Sequence, residues 1–107
     1  MSVTTHTVAL PRLNTAIRQV VAGFGSSAAE IDAVADNLIM ANLTGHDSHG
    51  IGMLPRYADA YLEGGLKPNA HVKIAVDGGA MLRLDGDTGF GQVIGQEAMA
   101  LGIERAR

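Results

Sequence analysis

Apolar side chains recur at helical spacing early in the chain: Leu13, Ile17, Val20, Val21 and Phe24 follow Pro11, whose fixed φ and missing N–H suit a first helical turn. Gly23 and Gly25 end that stretch. A second start signal follows, because Ser27 and Glu30 have the Ser-x-x-Glu spacing in which each side chain can satisfy an orphan N–H of the other. Ile31, Val34, Ala35, Leu38 and Ile39 supply the buried stripe of this second helix, which ends near residues 42–44. Two such helices joined by a short Gly-Ser turn predict an antiparallel helical hairpin.

Leu54, Tyr57, Ala58, Tyr61 and Leu62 predict a third helix, with Pro55 near its start and Gly64-Gly65 closing it before the extended Leu66-Lys67-Pro68. Val72, Ile74 and Val76 then alternate with less apolar neighbours. Asp77-Gly78-Gly79 reads as a tight turn, and Met81, Leu82 and Leu84 begin a second strand, so a β-hairpin is expected. From Phe90 onward, Ile94, Ala98 and Leu101 mark a fourth helix with no residue to end it. The expected class is mixed α+β over residues 1–107, helical over 11–63 and a β-hairpin plus helix over 70–107, without a complete nucleotide-binding domain.

Composition narrows the picture. A length of 107 residues with 47% hydrophobic content supports one modest core and is short for an enzyme that holds both a dinucleotide and a substrate. The net charge of -3, with eight scattered Lys and Arg, gives no basic stripe for nucleic acid. The absence of cysteine excludes disulfides and thiol chemistry, leaving His and carboxylates as reactive groups, and fits a reducing cytosol. The Thr-rich segment Met1 to Thr7 lacks the pattern of a secretory signal, and no apolar run is long enough for a bilayer. The expectation is a cytoplasmic protein with no membrane or nucleic-acid partner.

The densest chemistry lies in Gly45-His46-Asp47-Ser48-His49-Gly50, where glycines let backbone approach a ligand beside groups able to move protons. Three other readings compete. The two imidazoles could share a metal ion, but the spacing is His-x-x-His and no third ligand is placed nearby, so no metal is expected. Asp47 or Ser48 could cap the third helix and leave the histidines as loop residues. A serine nucleophile would want a Gly-x-Ser-x-Gly elbow after a strand, whereas Ser48 follows a helix.

Gly89-Phe90-Gly91 lies between a strand and a helix, the context in which glycine turns hold a pyrophosphate, but Ile94 stands where the fingerprint has its third glycine. A tight strand-to-helix turn is the favoured reading. Asp85-Gly86-Asp87 lacks the further ligands of a calcium loop and reads as a turn held by Asp side chains.

Ala41-Asn42-Leu43-Thr44-Gly45, Asp47-Ser48-His49-Gly50 and Leu54-Pro55-Arg56-Tyr57 together resemble the malate/L-lactate dehydrogenase family, which is unrelated to the Rossmann-type lactate dehydrogenases. The resemblance continues through Gly64 to Pro68 and from Leu84 to Gln92, so it covers nearly the whole chain in order. It implies the N-terminal portion of a non-Rossmann dehydrogenase fold and an oxidoreductase that interconverts a small 2-hydroxy acid and its 2-oxo acid with NAD or NADP. It also implies a homodimer in the full-length enzyme. His49 carries over as an acid/base group with Ser48 beside it, and Tyr57 as a residue lining the substrate site. Many members have a substrate-binding arginine where this chain has Met53, as the hydroxycarboxylate dehydrogenase branch does, and Arg56 is the candidate substitute. No cofactor contact is assigned within these residues, so the 107 residues alone are expected to be inactive. The rival is a non-catalytic binding or oligomerisation module.

If His49 falls in the first turn of the third helix, that helix's dipole disfavours the imidazolium and favours a bound carboxylate, while a nearby Asp47 pulls the other way.

Overall fold

The computed structural model describes residues 4–107. The start of the Thr-rich N-terminal segment, residues 1–3, lies outside the described residues. Four helices and one two-stranded antiparallel sheet follow in the order α1 (Leu10–Gly23), α2 (Ala28–Leu43), α3 (Leu54–Leu62), β1 (Lys73–Asp77), β2 (Leu82–Asp85) and α4 (Gly91–Ala106). Among the described residues no helix is long and apolar enough to cross a membrane.

Pro11 occupies the first turn of α1, and Gly25 takes a φ of 87° just beyond its end, the left-handed conformation that glycine adopts without steric cost. The chain then reverses into α2, and the stripes expected from the sequence meet: Ile17 and Val21 of α1 bury with Val34, Ala35 and Leu38 of α2. Leu54 from α3 and Phe90 from the start of α4 complete the core. Phe90 is 1% exposed, and Tyr57 stands edge-on to it at 5.5 Å and 89°.

Half of the expected capping box forms. Ser27 Oγ accepts from the Glu30 N–H at 3.2 Å, but Glu30 does not reach back to Ser27. The Ser27 N–H instead donates to Asn69 Oδ1 at 2.7 Å, and Glu30 Oε2 accepts from the Asn69 N–H at 2.9 Å. Asn69 also donates from its amide to the Gly25 carbonyl at 2.8 Å. The loop after α3 thus fastens onto the α1–α2 turn and buries Glu30, a pairing made by a residue 39 positions away.

The hairpin forms with two corrections. Val72 lies outside β1, and Met81 belongs to the turn: residues 78–81 connect the strands, closed by a Gly78 N–H to Met81 carbonyl bond of 2.8 Å. A register shift between Ile74 and Val76 marks a bulge at Ala75. The alternation does not translate into burial, since every residue of β1 is exposed. Charge and polar contacts fasten the hairpin to α4. Arg105 makes two bonds to the Asp77 carboxylate, at 2.7 and 2.6 Å, and Glu97 accepts from the Val72 N–H at 2.8 Å and meets His71 Nδ1 at 2.6 Å.

In the strand-to-helix turn packing explains Gly89, whereas a Cβ at Gly91 would meet nothing within 4 Å. A Cβ at Gly89 would sit 2.9 Å from the Ala70 Cβ and 3.2 Å from Ile94 Cδ1. Asp85 accepts from the Asp87 N–H at 2.8 Å, so the acidic turn is held as its sequence suggests.

Candidate active site

The last turn of α2 sets the position of the His-containing loop. Gly45 takes a φ of 85°, and the N–H groups of Gly45 and His46 return to the carbonyls of Asn42 and Ala41 at 3.3 and 2.8 Å. This helix stop, built on a left-handed glycine, aims the chain sharply away from the helix axis. Two successive 3₁₀ turns follow, Asp47–His49 and Ile51–Met53, before α3 begins.

His49 therefore ends a separate 3₁₀ turn and is not in the first turn of α3, which corrects the expected dipole argument. The capping alternative fails as well: Met53 precedes α3, and no side chain caps that helix.

Ser48 and His49 are brought together directly, with Ser48 Oγ 2.9 Å from His49 Nδ1. Both are exposed, and Nε2 is left as the ring nitrogen open to a reacting group. Asp47 is engaged elsewhere: its Oδ1 accepts from Asn42 Nδ2 at 2.9 Å. The His46 and His49 rings lie 6.3 Å apart, and among the described residues no three His, Asp or Glu side chains gather as metal ligands. His71 is paired with Glu97, while His6 lines a cleft of about 250 Å³ with Asn42, Asp47 and Ile51.

Tyr57 lies in the first half of α3, half-buried against the core, and its hydroxyl accepts from Gln92 Nε2 at 2.8 Å. The hydroxyl proton remains free to be donated. Arg56 is exposed and makes no hydrogen bond or ion pair among the described residues. Met53 packs against the core.

Two residues escaped the sequence reading. Asn42 appeared only as part of a motif, yet its carboxamide spans the loop, accepting also from the Ile51 N–H at 2.8 Å. Gln92 holds Tyr57 from α4 across 35 residues, and no local pattern reports such a contact.

A mixed helix-and-hairpin unit that presents a serine-paired histidine on a glycine-bounded loop has the parts of a proton-transfer centre, the class that dehydrogenases of hydroxy acids require. The malate/L-lactate dehydrogenase family model matches residues 8–107, and the chain belongs to that family. It is 53% identical over 94 residues to hydroxycarboxylate dehydrogenase B of Escherichia coli O157:H7, covering 88% of this chain and 26% of that protein. It is 47% identical over 89 residues to malate dehydrogenase of Pyrococcus abyssi, covering 83% of this chain and 25% of that protein. The solved malate dehydrogenase of Pyrococcus horikoshii OT3 superposes with a TM-score of 0.82 at 34% identity, over 95% of this chain and 31% of that one. The chain thus spans about a quarter of the length of the curated relatives it matches.

Proposed function

We propose that this chain supplies the proton-transfer side of an oxidoreductase that interconverts a small 2-hydroxy acid and its 2-oxo acid. The observation that carries the reading is the exposed His49 imidazole with Nδ1 engaged by Ser48, on the loop shared with the family. Reduction of a 2-oxo acid leaves an alkoxide at C2, and an imidazole is suited to donate the proton to it and to reclaim it in the reverse direction. Tyr57 donates its hydroxyl hydrogen toward the substrate while Gln92 holds its oxygen. Arg56 supplies the cation for the carboxylate in place of the arginine that Met53 replaces.

A nicotinamide cofactor, NAD or NADP, supplies the hydride in this chemistry. In the glycine turn between β2 and α4, the Phe90 side chain is buried and Gly89 packs against Ala70. No residue here is assigned to the cofactor, and the 107 residues alone are expected to show no saturable NADH oxidation. The reading includes a cytoplasmic homodimer, and the exposed apolar residues Val20, Met40 and Leu43 on α1 and α2 favour such an assembly surface.

The test is a chimera in which these residues replace the matched quarter of Escherichia coli hydroxycarboxylate dehydrogenase B. His49→Ala is expected to lower its turnover by about 10² to 10⁴ with the fold intact. Unchanged turnover removes His49 from the chemistry.

A further inference from the structure

The loop that carries Ser48 and His49 has little holding it from within. Its backbone bonds are short-range: His49 N–H to the His46 carbonyl at 2.9 Å, Gly50 N–H to Asp47 at 3.2 Å, and Met53 N–H to Gly50 at 2.9 Å. Such bonds shape each 3₁₀ turn but do not place the turns relative to the helices. The His46 N–H to Ala41 carbonyl bond ties the start of the loop to α2, and one side chain reaches further along it. Asn42, in the last turn of α2, donates from Nδ2 to Asp47 Oδ1 at 2.9 Å and accepts at Oδ1 from the Ile51 N–H at 2.8 Å. The two anchor points bracket Ser48, His49 and Gly50.

Glycine at position 50 makes this grip possible. Gly50 is buried, and a Cβ there would overlap the Asn42 carboxamide. The donor set also selects the amide. Asp47 presents a carboxylate, which needs a donor, and Ile51 presents an N–H, which needs an acceptor. Asparagine offers both at this length, aspartate offers only acceptors, and alanine offers neither.

We propose that Asn42 is the positioning residue for His49, clamping the loop to α2 and holding the Asp47 charge so that the imidazole keeps Ser48 as its partner. The proposal rests on the reading of His49 as the proton-transfer group. It assigns to Asn42 no contact with substrate.

The experiment uses the 107-residue chain labelled with ¹⁵N, comparing the unsubstituted chain with Asn42→Asp and Gly50→Ala. Two signals are read: exchange of the Ile51 amide, and the ring-nitrogen resonances of His49 against those of His6 and His46. At neutral pH, Asn42→Asp faces Asp47 with a second carboxylate, and loss of the hydrogen-bonded clamp is expected to speed Ile51 exchange about tenfold. The His49 resonances then move toward those of His6 and His46. Gly50→Ala, which pushes on the clamp without altering α2, is expected to give the same signature at neutral pH.

Unchanged Ile51 exchange in both variants overturns the proposal. So does faster exchange with unmoved His49 ring signals, which would make Asn42 a brace for the helix end alone. A variant that unfolds is recognised by loss of the α2 amide signals, and the other then decides. Failure of His49→Ala to slow the chimera would remove the catalytic reading while leaving the loop geometry as found, so the two failures are distinguishable.

Discussion

The helical part and the hairpin part of this chain are held by different forces. In the helical part, six aliphatic side chains from α1, α2 and α3 are buried to 7% exposure or less, beside the one buried carboxylate, Glu30. Neither β1 nor α4 contributes a buried residue. The hairpin is fastened by the Asp77–Arg105 pair, by Lys67 and Lys73 on Asp87 at 2.7 and 3.2 Å, and by the Glu97 bonds at its entrance. Burial of aliphatic surface does not titrate and is not screened by salt, whereas exposed ion pairs are worth little each and respond to both. One half is therefore stable by composition and the other by conditions. The loop that carries Ser48 and His49 grows from the stable half, at the end of α2.

The largest effect is expected where the two halves meet. Phe90 starts α4, yet its side chain lies in the helical core, stacked with Phe24 at 6.3 Å and edge-on to Tyr57. Phe90→Ala is expected to cost about 3–5 kcal/mol in denaturant unfolding, because the side chain is 1% exposed and its removal leaves a cavity in the core. A cost under about 1 kcal/mol would mean that α4 and the hairpin are only appended to the helical part, and that the core closes without them.

The same contrast governs what the sequence could show. Helical stripes, Pro11, Ser27 and the glycines at the helix ends act within a few residues of themselves, so α1 to α3 were legible with their boundaries close to right. The partners of Glu30 and Tyr57, Asn69 and Gln92, lie 39 and 35 residues away, and residue type alone does not announce such contacts. Alternation at Val72, Ile74 and Val76 reported strand geometry and not burial. The candidate site divides likewise: Ser48 and His49 were visible as adjacent residues, while the place of His49 before α3 depended on two 3₁₀ turns that no capping signal marks.

Acid separates the halves next. The hydrogen bonds from Arg105, and then from the Gly79 N–H, hold the Asp77 carboxyl well below its ordinary 3.8, at about 2. Asp87 is lowered by Lys67 and Lys73, and Glu97 by the Val72 N–H and then His71. A depressed folded pKa gives stability that is present above the unfolded carboxylate range and lost as pH falls through the folded value. Between about pH 4 and pH 2 the hairpin amides are expected to lose protection against exchange while those of α1 and α2 keep theirs. Arg105→Ala should remove much of the change. Simultaneous loss in both parts would show that the clasps and the core are one cooperative unit.

The smallest expected effect tests the comparison most directly, because it applies one chemical change to both halves. Valine and threonine have nearly the same shape and both favour extended backbone, so the exchange adds a hydroxyl with little change of volume. Val76 in β1 is 43% exposed, and a hydroxyl there finds water: Val76→Thr is expected to shift unfolding by less than about 0.5 kcal/mol. Val34 in α2 is 0% exposed, so the same exchange buries a hydroxyl among Ile17, Val21 and Leu38 and should cost about 1–3 kcal/mol. A threonine in a helix can return its hydroxyl to the carbonyl four residues earlier, here that of Glu30, which places the cost toward the lower end of that range. Equal costs at the two positions would mean that the apolar surface of β1 is covered in solution, and the hairpin would then be the second face of a core.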